Sequence, residues 1–372
     1  ECGFEEVFVP PWPGDEGVAV GCAAYAWHER ERRAPAPRRA PKPFQGRVWA
    51  AYDFSEALEA FAPWIESLPP AVDEAALLRW AARELEQGKV LGWFHGRAEF
   101  GPRALGHRSI LADPRRAEMV ERLNLAVKKR EAFRPFAPAV LAEHAAEWFV
   151  DPPPSPYMSF TARARPRTRR EAPAAVHVDG SARLQTLPAT DHPSHPNGCG
   201  RLRRLVEQFA ERTGVPMLLN TSFNLKGEAL VESPHDALWC FLRSGMDYLV
   251  LEDHVLRVPN FPAIKAATQP RAIPGLVFET VTSAEGECLS TRVMARGETW
   301  DLTPLETDLL AISDGERAYS ELLAALREAH GARATAVRAA LRRLWDLRLL
   351  SFTPAAASAA KGRTKRSTNR RG

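Results

Sequence analysis

Between Arg97 and Arg134 the sequence sets ten Lys or Arg residues against five acids, twice the cation density of the whole chain, and spaces them with Gly96, Gly101 and Gly106. Cations carried on turns, with glycines that let backbone N–H groups approach a ligand, suit a small polyanion. Arg97, Arg103, Arg108, Lys128, Lys129, Arg130 and Arg134 could supply the field. A guanidinium grips two phosphate oxygens at once, whereas lysine acts as a mobile point charge. Further on, His177, Asp179 and Arg183 lie on a strand-like segment and offer hydrogen bonds and charge, while Ser222 and Asn224 on a tight turn can orient a phosphate or a base without titrating. Any one of these arginines reads equally well as a surface salt bridge, and His177 alone as a structural histidine. The set, with glycines at fixed offsets, does not read as a solvated face.

The readable motifs contain no carboxylate-rich metal cage, no Ser-His-Asp order and no Gly-x-x-x-x-Gly-Lys-Ser/Thr loop, which leaves cation-driven phosphate chemistry. ATP brings about four negative charges and a second phosphate compound about two more, so holding both calls for several cations, N–H donors and Mg²⁺.

Composition frames that site. The chain has 372 residues, 45% hydrophobic and 26% charged, enough for two or three globular domains. Six cations and no acid fall in the last twelve residues, so the body carries −2 against the whole chain's +4, and the basic pocket is local. The five scattered cysteines read as reduced thiols, and no apolar run reaches about 18 residues, so a cytoplasmic protein without a membrane partner is expected.

The elements that must position the site follow from periodicity. A strand is expected at Glu6 to Val9, a small-residue helix at Val18 to Trp27 and a linker over 29–72. A helix over Asp73 to Gln87 leads to a buried strand, Val90 to Phe94, and into the glycine-rich turn. Pro114 opens a helix to about Arg130 with Met119, Leu123, Ala126 and Val127 on its apolar face, and Pro135 and Pro138 stop it before a strand at Ala139 to Leu141. The stretch from Pro152 to Pro173 reads as an exposed loop. A helix near Arg201 to Arg212, a strand Pro216 to Leu219, a helix Pro234 to Arg243 and a strand Tyr248 to Val258 complete an α/β unit. Beyond a boundary at Pro259 to Pro274, a β segment Leu289 to Ala295, helices at Pro304 to Ile312, Tyr319 to His330 and Ala334 to Leu347, and a strand Leu349 to Phe352 predict a winged-helix-like module over 275–353. A disordered basic tail, 354–372, closes the chain.

Five ordered segments, Gly96 to Arg115, Val127 to Glu131, Phe133 to Pro138, His177 to Arg183 and Leu219 to Asn224, together resemble the C-terminal domain of the NodU/CmcH O-carbamoyltransferases. The resemblance implies an α/β fold, a YrdC-like twisted mixed sheet with helices over 73–262, and a remnant of an actin-like acceptor domain in residues 1–28. It implies that Lys128 and Arg130, with Ser222 and Asn224, form the Lys-x-Arg and Ser-x-Asn elements of an adenylate-forming pocket. Arg103 and Arg108 join Lys128 and Arg130 as catalytic cations, Arg97, Arg134, His177, Asp179 and Arg183 bind substrate, and Asp15 is a metal ligand whose histidine partners are not in this sequence. At His95 and Ala98 the family more often has Gln and Met.

By the same resemblance, carbamoyl phosphate yields carbamate and phosphate, and a carbamate oxygen attacks the α-phosphorus of ATP, expelling pyrophosphate and leaving carbamoyl-adenylate. Carbamate is already anionic, so this step requires no general base, and fixed arginines stabilise the charge that develops. Transfer to a small-molecule hydroxyl would fall to the acceptor domain, with iron or another divalent metal, supplied by missing chain or by a separate subunit. A reading from another class is a nucleic-acid-binding or regulatory protein acting through the C-terminal module, whose third helix carries Arg338, Arg342 and Arg343, with Arg348 just beyond. Those arginines read equally as a solvated face beside Leu341, Leu344 and Trp345, so nucleic acid is the weaker partner.

Overall fold

Ten strands of the computed structural model form one mixed sheet. The structure describes residues 9–31, 43–69, 73–189, 199–282, 288–295 and 297–353. The chain divides into two compact units, Glu1–Phe61 with Ile65–Val258, and Ala62–Trp64 with Pro259–Gly372.

In the first unit the strands are β1 (Glu66–Ser67), β2 (Leu91–Phe94), β3 (Arg108–Ala112), β4 (Ala137–Leu141), β5 (Phe149–Val150), β6 (Phe160–Ala164), β7 (Ser181–Leu187), β8 (Met217–Ser222), β9 (Tyr248–Leu251) and β10 (His254–Arg257). The helices are α1 (Asp15–Glu31), α2 (Ala51–Phe61), α3 (Glu74–Glu86), α4 (Met119–Glu121), α5 (Ala145–Trp148), α6 (Pro166–Glu171), α7 (Gly200–Thr213) and α8 (Pro234–Arg243). Strands β2, β3 and β4 are buried at every position, which is why they read as short apolar runs rather than alternating ones. Helix α3 starts where Asp73 accepts the Ala76 N–H at 2.7 Å. Its Leu77, Leu78, Ala81 and Leu85 pack with Leu202, Leu205, Val206 and Phe209 of α7, each fully buried leucine contributing roughly 1.5–3 kcal/mol.

Register decides what this sheet can present. Strand β3 pairs antiparallel with β8 (Ser109 opposite Ser222), β8 antiparallel with β4 (Asn220 opposite Ala137), and β4 parallel with β7 (Ala139 opposite Gln185). The start of β3, the end of β8, the start of β4 and the start of β7 therefore share one edge, so motifs up to 120 residues apart arrive side by side.

Several expectations are corrected. Residues 29–72 are not all linker: α2 lies within them, and Phe54, Ala57 and Phe61 are buried on the side that meets α8. The stretch from Pro152 to Pro173 holds β6 and α6, because Ser155 and Thr168 are buried with their hydroxyls bonded to main-chain carbonyls. The helix expected from Pro114 to Arg130 is only α4 followed by a π-turn, Arg122–Val127. His177 and Asp179 sit in the turn before β7, not on a strand, and Tyr248 to Val258 is a hairpin turned at Glu252, whose φ is 50°. The strand expected at Glu6 to Val9 lies, but for Val9, outside the described residues, as does the 354–372 tail.

The second unit has a three-stranded antiparallel sheet, β12 (Val277–Thr282), β13 (Cys288–Ala295) and β14 (Glu298–Leu302), and a two-stranded pair, β11 (Gln269–Ala272) with β15 (Leu350–Thr353). Its helices are α9 (Pro304–Ile312), α10 (Tyr319–His330) and α11 (Ala334–Asp346). Helix α9 opens with a capping box, Thr303 and Glu306, and α10 ends at Gly331 in the left-handed region. The core is Leu309, Leu322, Leu326, Val337, Leu341 and Leu344, and the Trp64 indole donates to the Leu350 carbonyl at 3.0 Å.

Candidate active site

A cavity of about 560 Å³ opens at the shared edge of β3, β8, β4 and β7, within the usual size range for a small-molecule site. Arg103, Lys128, Arg130, Arg134, Arg183 and Lys226 line it, with His177 and, among the described residues, no aspartate or glutamate. Ser222, Asn224, Asn220 and Thr221 complete the polar wall, and Pro135, Phe136, Met158 and Leu225 the apolar one.

Lys128 is placed by the π-turn. The Lys128 N–H bonds the Leu123 carbonyl, five residues back, at 2.8 Å, and Lys129 follows at φ 51°. The side chain is thereby turned inward, and its Nζ donates to the Ser222 and Asn224 carbonyls at 2.7 Å each and to the Asn224 Oδ1. Those oxygens favour the ammonium form. Burial, then the neighbouring Arg130 guanidinium, oppose them and push the lysine's pKa down to about 7.

The other cations are strained in the same sense. Arg130 donates to the Asn124 Oδ1 at 2.7 Å and lies 4.9 Å over the Phe136 ring; burial and then Arg134 lower it to about 10. Arg183 is also lowered to about 10, by burial and then by Arg103 and Arg130, and its Nε is buried without a partner. Among the described residues no carboxylate pairs with Arg103, Lys128, Arg130 or Arg183. Acids outside the cavity lining stand near it: Glu131 takes Lys226 at 3.0 Å and Arg134 at 3.9 Å, and Glu228 accepts the Leu225 N–H at 3.1 Å and an Arg243 N–H at 2.6 Å. A group of cations that depress one another is what a bound polyanion would relieve.

All the lining residues fall within the segment 82–258, which matches the family model described as the carbamoyltransferase C-terminus. Residues 82–258 belong to the carbamoyltransferase C-terminal family. Curated relatives include nodulation protein NolO of Bradyrhizobium diazoefficiens, 34% identical over 94% of this chain and 64% of its own length. NolNO of Sinorhizobium fredii is 34% identical over 96% of this chain and 52% of its own length, and nodulation protein U of Bradyrhizobium diazoefficiens 38% identical over 60% and 35%. The chain thus spans about half the length of the curated relatives it matches. Full-length HypF in its phosphate- and nucleotide-bound form overlaps loosely, at a TM-score of 0.36 and 12% identity, over 64% of this chain and 31% of that one.

Within this carbamoyltransferase domain the fold gathers Arg103, Lys128, Arg130, Arg134, His177, Arg183, Ser222 and Asn224 around one cavity and leaves five expected residues, Arg97, Arg108, Lys129, Asp179 and Asp15, outside its lining. Arg108 is wholly buried elsewhere: its guanidinium donates to the carbonyls of His95, Gly96, His107 and Glu232 and stacks 3.4 Å over Phe94. Those four acceptors make it a structural residue. Arg97 is exposed and donates to the Gly46 carbonyl at 2.8 Å. Asp179 accepts from the Ser181 hydroxyl and N–H and stands 3.2 Å from the His177 Nδ1, contacts that hold its carboxyl down at about 2; it orients His177 rather than facing the ligand. Asp15 begins α1, none of whose residues is buried. Among the described residues no three His, Cys, Asp or Glu side chains gather as metal ligands, so Asp15 does not by itself fit the metal the resemblance implies.

The glycines also act differently from the expectation. None lining the cavity belongs to the 96–106 run; Gly106, at φ 115°, is required because a Cβ there would lie 2.7 Å from a Leu202 methyl. His95 bonds Glu252 at 2.8 Å beside Arg201. The reading of the sequence missed Asn124 and Lys226. Asn124 is fully buried, donates to the Ala132 and Arg134 carbonyls at 2.9 Å each, and so ties together the turn that carries Lys128, Arg130 and Arg134. Its only sequence signal was a polar residue inside an apolar helical face.

Proposed function

We propose that this chain is the carbamoyl-activating part of an ATP-dependent O-carbamoyltransferase, which forms carbamoyl-adenylate from carbamoyl phosphate and ATP for transfer to a small-molecule hydroxyl. The observation that carries the reading is the cavity itself, lined among the described residues by six cations and no carboxylate inside a carbamoyltransferase-family segment. Such a lining suits two phosphate substrates bound together and disfavours a cationic or neutral one.

In this reading Arg103 and Arg183 hold the phosphoryl group of carbamoyl phosphate, and Lys128, Arg130 and Arg134 hold the ATP phosphates beside Ser222 and Asn224. Water, the co-substrate of the first step, bonds through its oxygen to the carbamoyl carbon as the C–O bond to phosphate breaks, its protons passing to the departing phosphate and to solvent. An oxygen of the resulting carbamate then bonds to the α-phosphorus as the bond to pyrophosphate breaks. Guanidinium groups already fixed by Asn124 and by burial need no reorganisation as charge moves onto the phosphoryl oxygens. His177, oriented by Asp179, supplies a hydrogen-bond donor at the rim. Magnesium would have no carboxylate ligand in this cavity and would accompany ATP, and no step is assigned to it or to the Asp15 metal. The acceptor is a small molecule bound outside this domain, on chain or on a subunit carrying the rest of the relatives' length.

The nucleic-acid reading gains nothing from the second unit. Arg342 pairs with Asp346 at 2.9 Å, Arg343 with Glu306, and Arg348 is buried against Trp345, so three of the four arginines are engaged internally, while Arg338 is exposed, 5.8 Å over the Tyr319 ring.

The test is pyrophosphate release from ATP by the full chain. Release that requires carbamoyl phosphate, and is not supported by acetyl phosphate, agrees with the proposal; release indifferent to carbamoyl phosphate overturns it.

A further inference from the structure

We infer that Glu99 is a positioning residue for Arg103: a buried carboxylate that holds the loop after it closed so that one guanidinium, and only that one of the glycine-rich run, enters the cavity. The inference rests on the reading of the cavity as an anion site.

Glu99 is 7% exposed and does not line the cavity. Its Oε1 accepts three main-chain N–H groups, from Leu105 at 2.7 Å, His107 at 2.8 Å and Arg108 at 3.3 Å. The first of these bonds closes the loop into a ring from Glu99 to Leu105, and Arg103 stands on its far side. Three hydrogen bonds converging on one oxygen fix the return of the chain into β3. The outgoing limb is fixed as well: the Phe100 N–H bonds the Pro43 carbonyl at 2.6 Å, and Gly101 adopts φ 129°.

Arg108 does the complementary work. Its guanidinium takes the carbonyls of His95, Gly96, His107 and Glu232, while Glu99 takes amides from the same loop. One buried acid and one buried base thus satisfy the backbone of the glycine-rich loop from opposite sides. Of Arg97, Arg103 and Arg108, only Arg103 is left to line the cavity. The amides take the Glu99 Oε1, while its Oε2 is buried without a hydrogen-bond partner among the described residues.

The experiment is sulfate binding to the full chain by calorimetry, with Arg103→Ala, Glu99→Ala, Glu99→Asp, Glu99→Gln and the Glu99→Ala/Arg103→Ala pair. Arg103→Ala is expected to weaken sulfate about tenfold, as loss of one charged hydrogen-bond partner does, and Glu99→Ala by a comparable factor. The double variant should be no weaker than Arg103→Ala, because the two act through one group. Glu99→Gln keeps the accepting oxygen and should stay within about threefold of the parent, whereas Glu99→Asp withdraws it by a methylene and should fall between. Additive losses in the double variant, or full binding by Glu99→Ala while Arg103→Ala is impaired, overturn the inference and leave the anion site standing. Sulfate binding unchanged in Arg103→Ala overturns both. Should Glu99→Ala not fold, Gln binding more weakly than Asp would show that charge, not the accepting oxygen, matters, and would likewise overturn it.

Discussion

The Lys128 ammonium lies 2.7 Å from the carbonyl oxygen of Asn224, 96 residues away, and this contact joins the turn after the π-segment to the end of β8. The same amine reaches Ser222, so one lysine closes the floor of the cation-lined cavity. Replacing it with Met would leave several buried oxygens without donors. Lys128→Met is expected to lose roughly 1–3 kcal/mol of stability by urea denaturation and to abolish carbamoyl phosphate-dependent pyrophosphate release.

Lys128 also gives the site a pH dependence. Its pKa is depressed from the ordinary 10.5 to about 7, so between those values the unfolded chain binds more protons than the folded one, and the lysine's contribution to stability rises with pH across that window. An anion in the cavity favours the protonated lysine. Sulfate, whose charge is constant over this range, should therefore bind most tightly below about pH 7 and progressively more weakly above it. Calorimetry at several pH values checks this, and in Lys128→Met the weakening that sets in near pH 7 should be absent.

Arg108 and Arg183 should behave oppositely. Arg108→Met strands four main-chain carbonyls and is expected to lower the thermal midpoint sharply in the absence of any ligand. Arg183→Ala removes a half-buried cation that faces Arg103 and Arg130 with no carboxylate partner; its midpoint should be unchanged or raised, while sulfate binding falls about tenfold. Scanning calorimetry with and without sulfate separates the two.

Glu131 competes with the ligand for Lys226 and Arg134. Glu131→Gln should strengthen sulfate binding, by about two- to fivefold at low salt, with the gain shrinking as ionic strength rises. Titrations at two salt concentrations measure it; weaker binding would show that Glu131 orders the rim instead.

Asn124→Ala is expected to weaken ATP by roughly 1–3 kcal/mol, because the turn holding Arg130 loses its acceptor and two carbonyls lose their donors. Asn124→Asp keeps the acceptor for Arg130 but loses the amide donors, and should fall between Ala and the parent in fluorescence titrations with an ATP analogue.

Much of the site was legible. The long helices with caps, such as Pro234–Arg243 and Pro304–Ile312, match the expectation residue for residue, because periodicity and a capping Ser or Thr are local signals. Lys128, Arg130, Ser222 and Asn224, from separate motifs, line one cavity. The π-turn was not legible: a shift from four- to five-residue bonding leaves the same apolar pattern, yet it alone turns Lys128 inward. Nor was the burial of Phe54 and Phe61 inside an apparent linker, since their covering helix lies almost two hundred residues away.

The sequence by itself determined the chemistry available: an excess of cations, the motifs that carry them, and the absence of any acid–base or metal-ligand pattern beside them. Only the tertiary structure decided which cations act together. Arg103, Lys128 and Arg183 become neighbours because β3, β8, β4 and β7 pair in an order far from their order in the chain, while Arg108, five residues beyond Arg103, is drawn into the core by four carbonyls. Charge density is a local property of a sequence; whether a charge meets a ligand or a backbone depends on long-range pairing, and that is fixed only when the sheet closes.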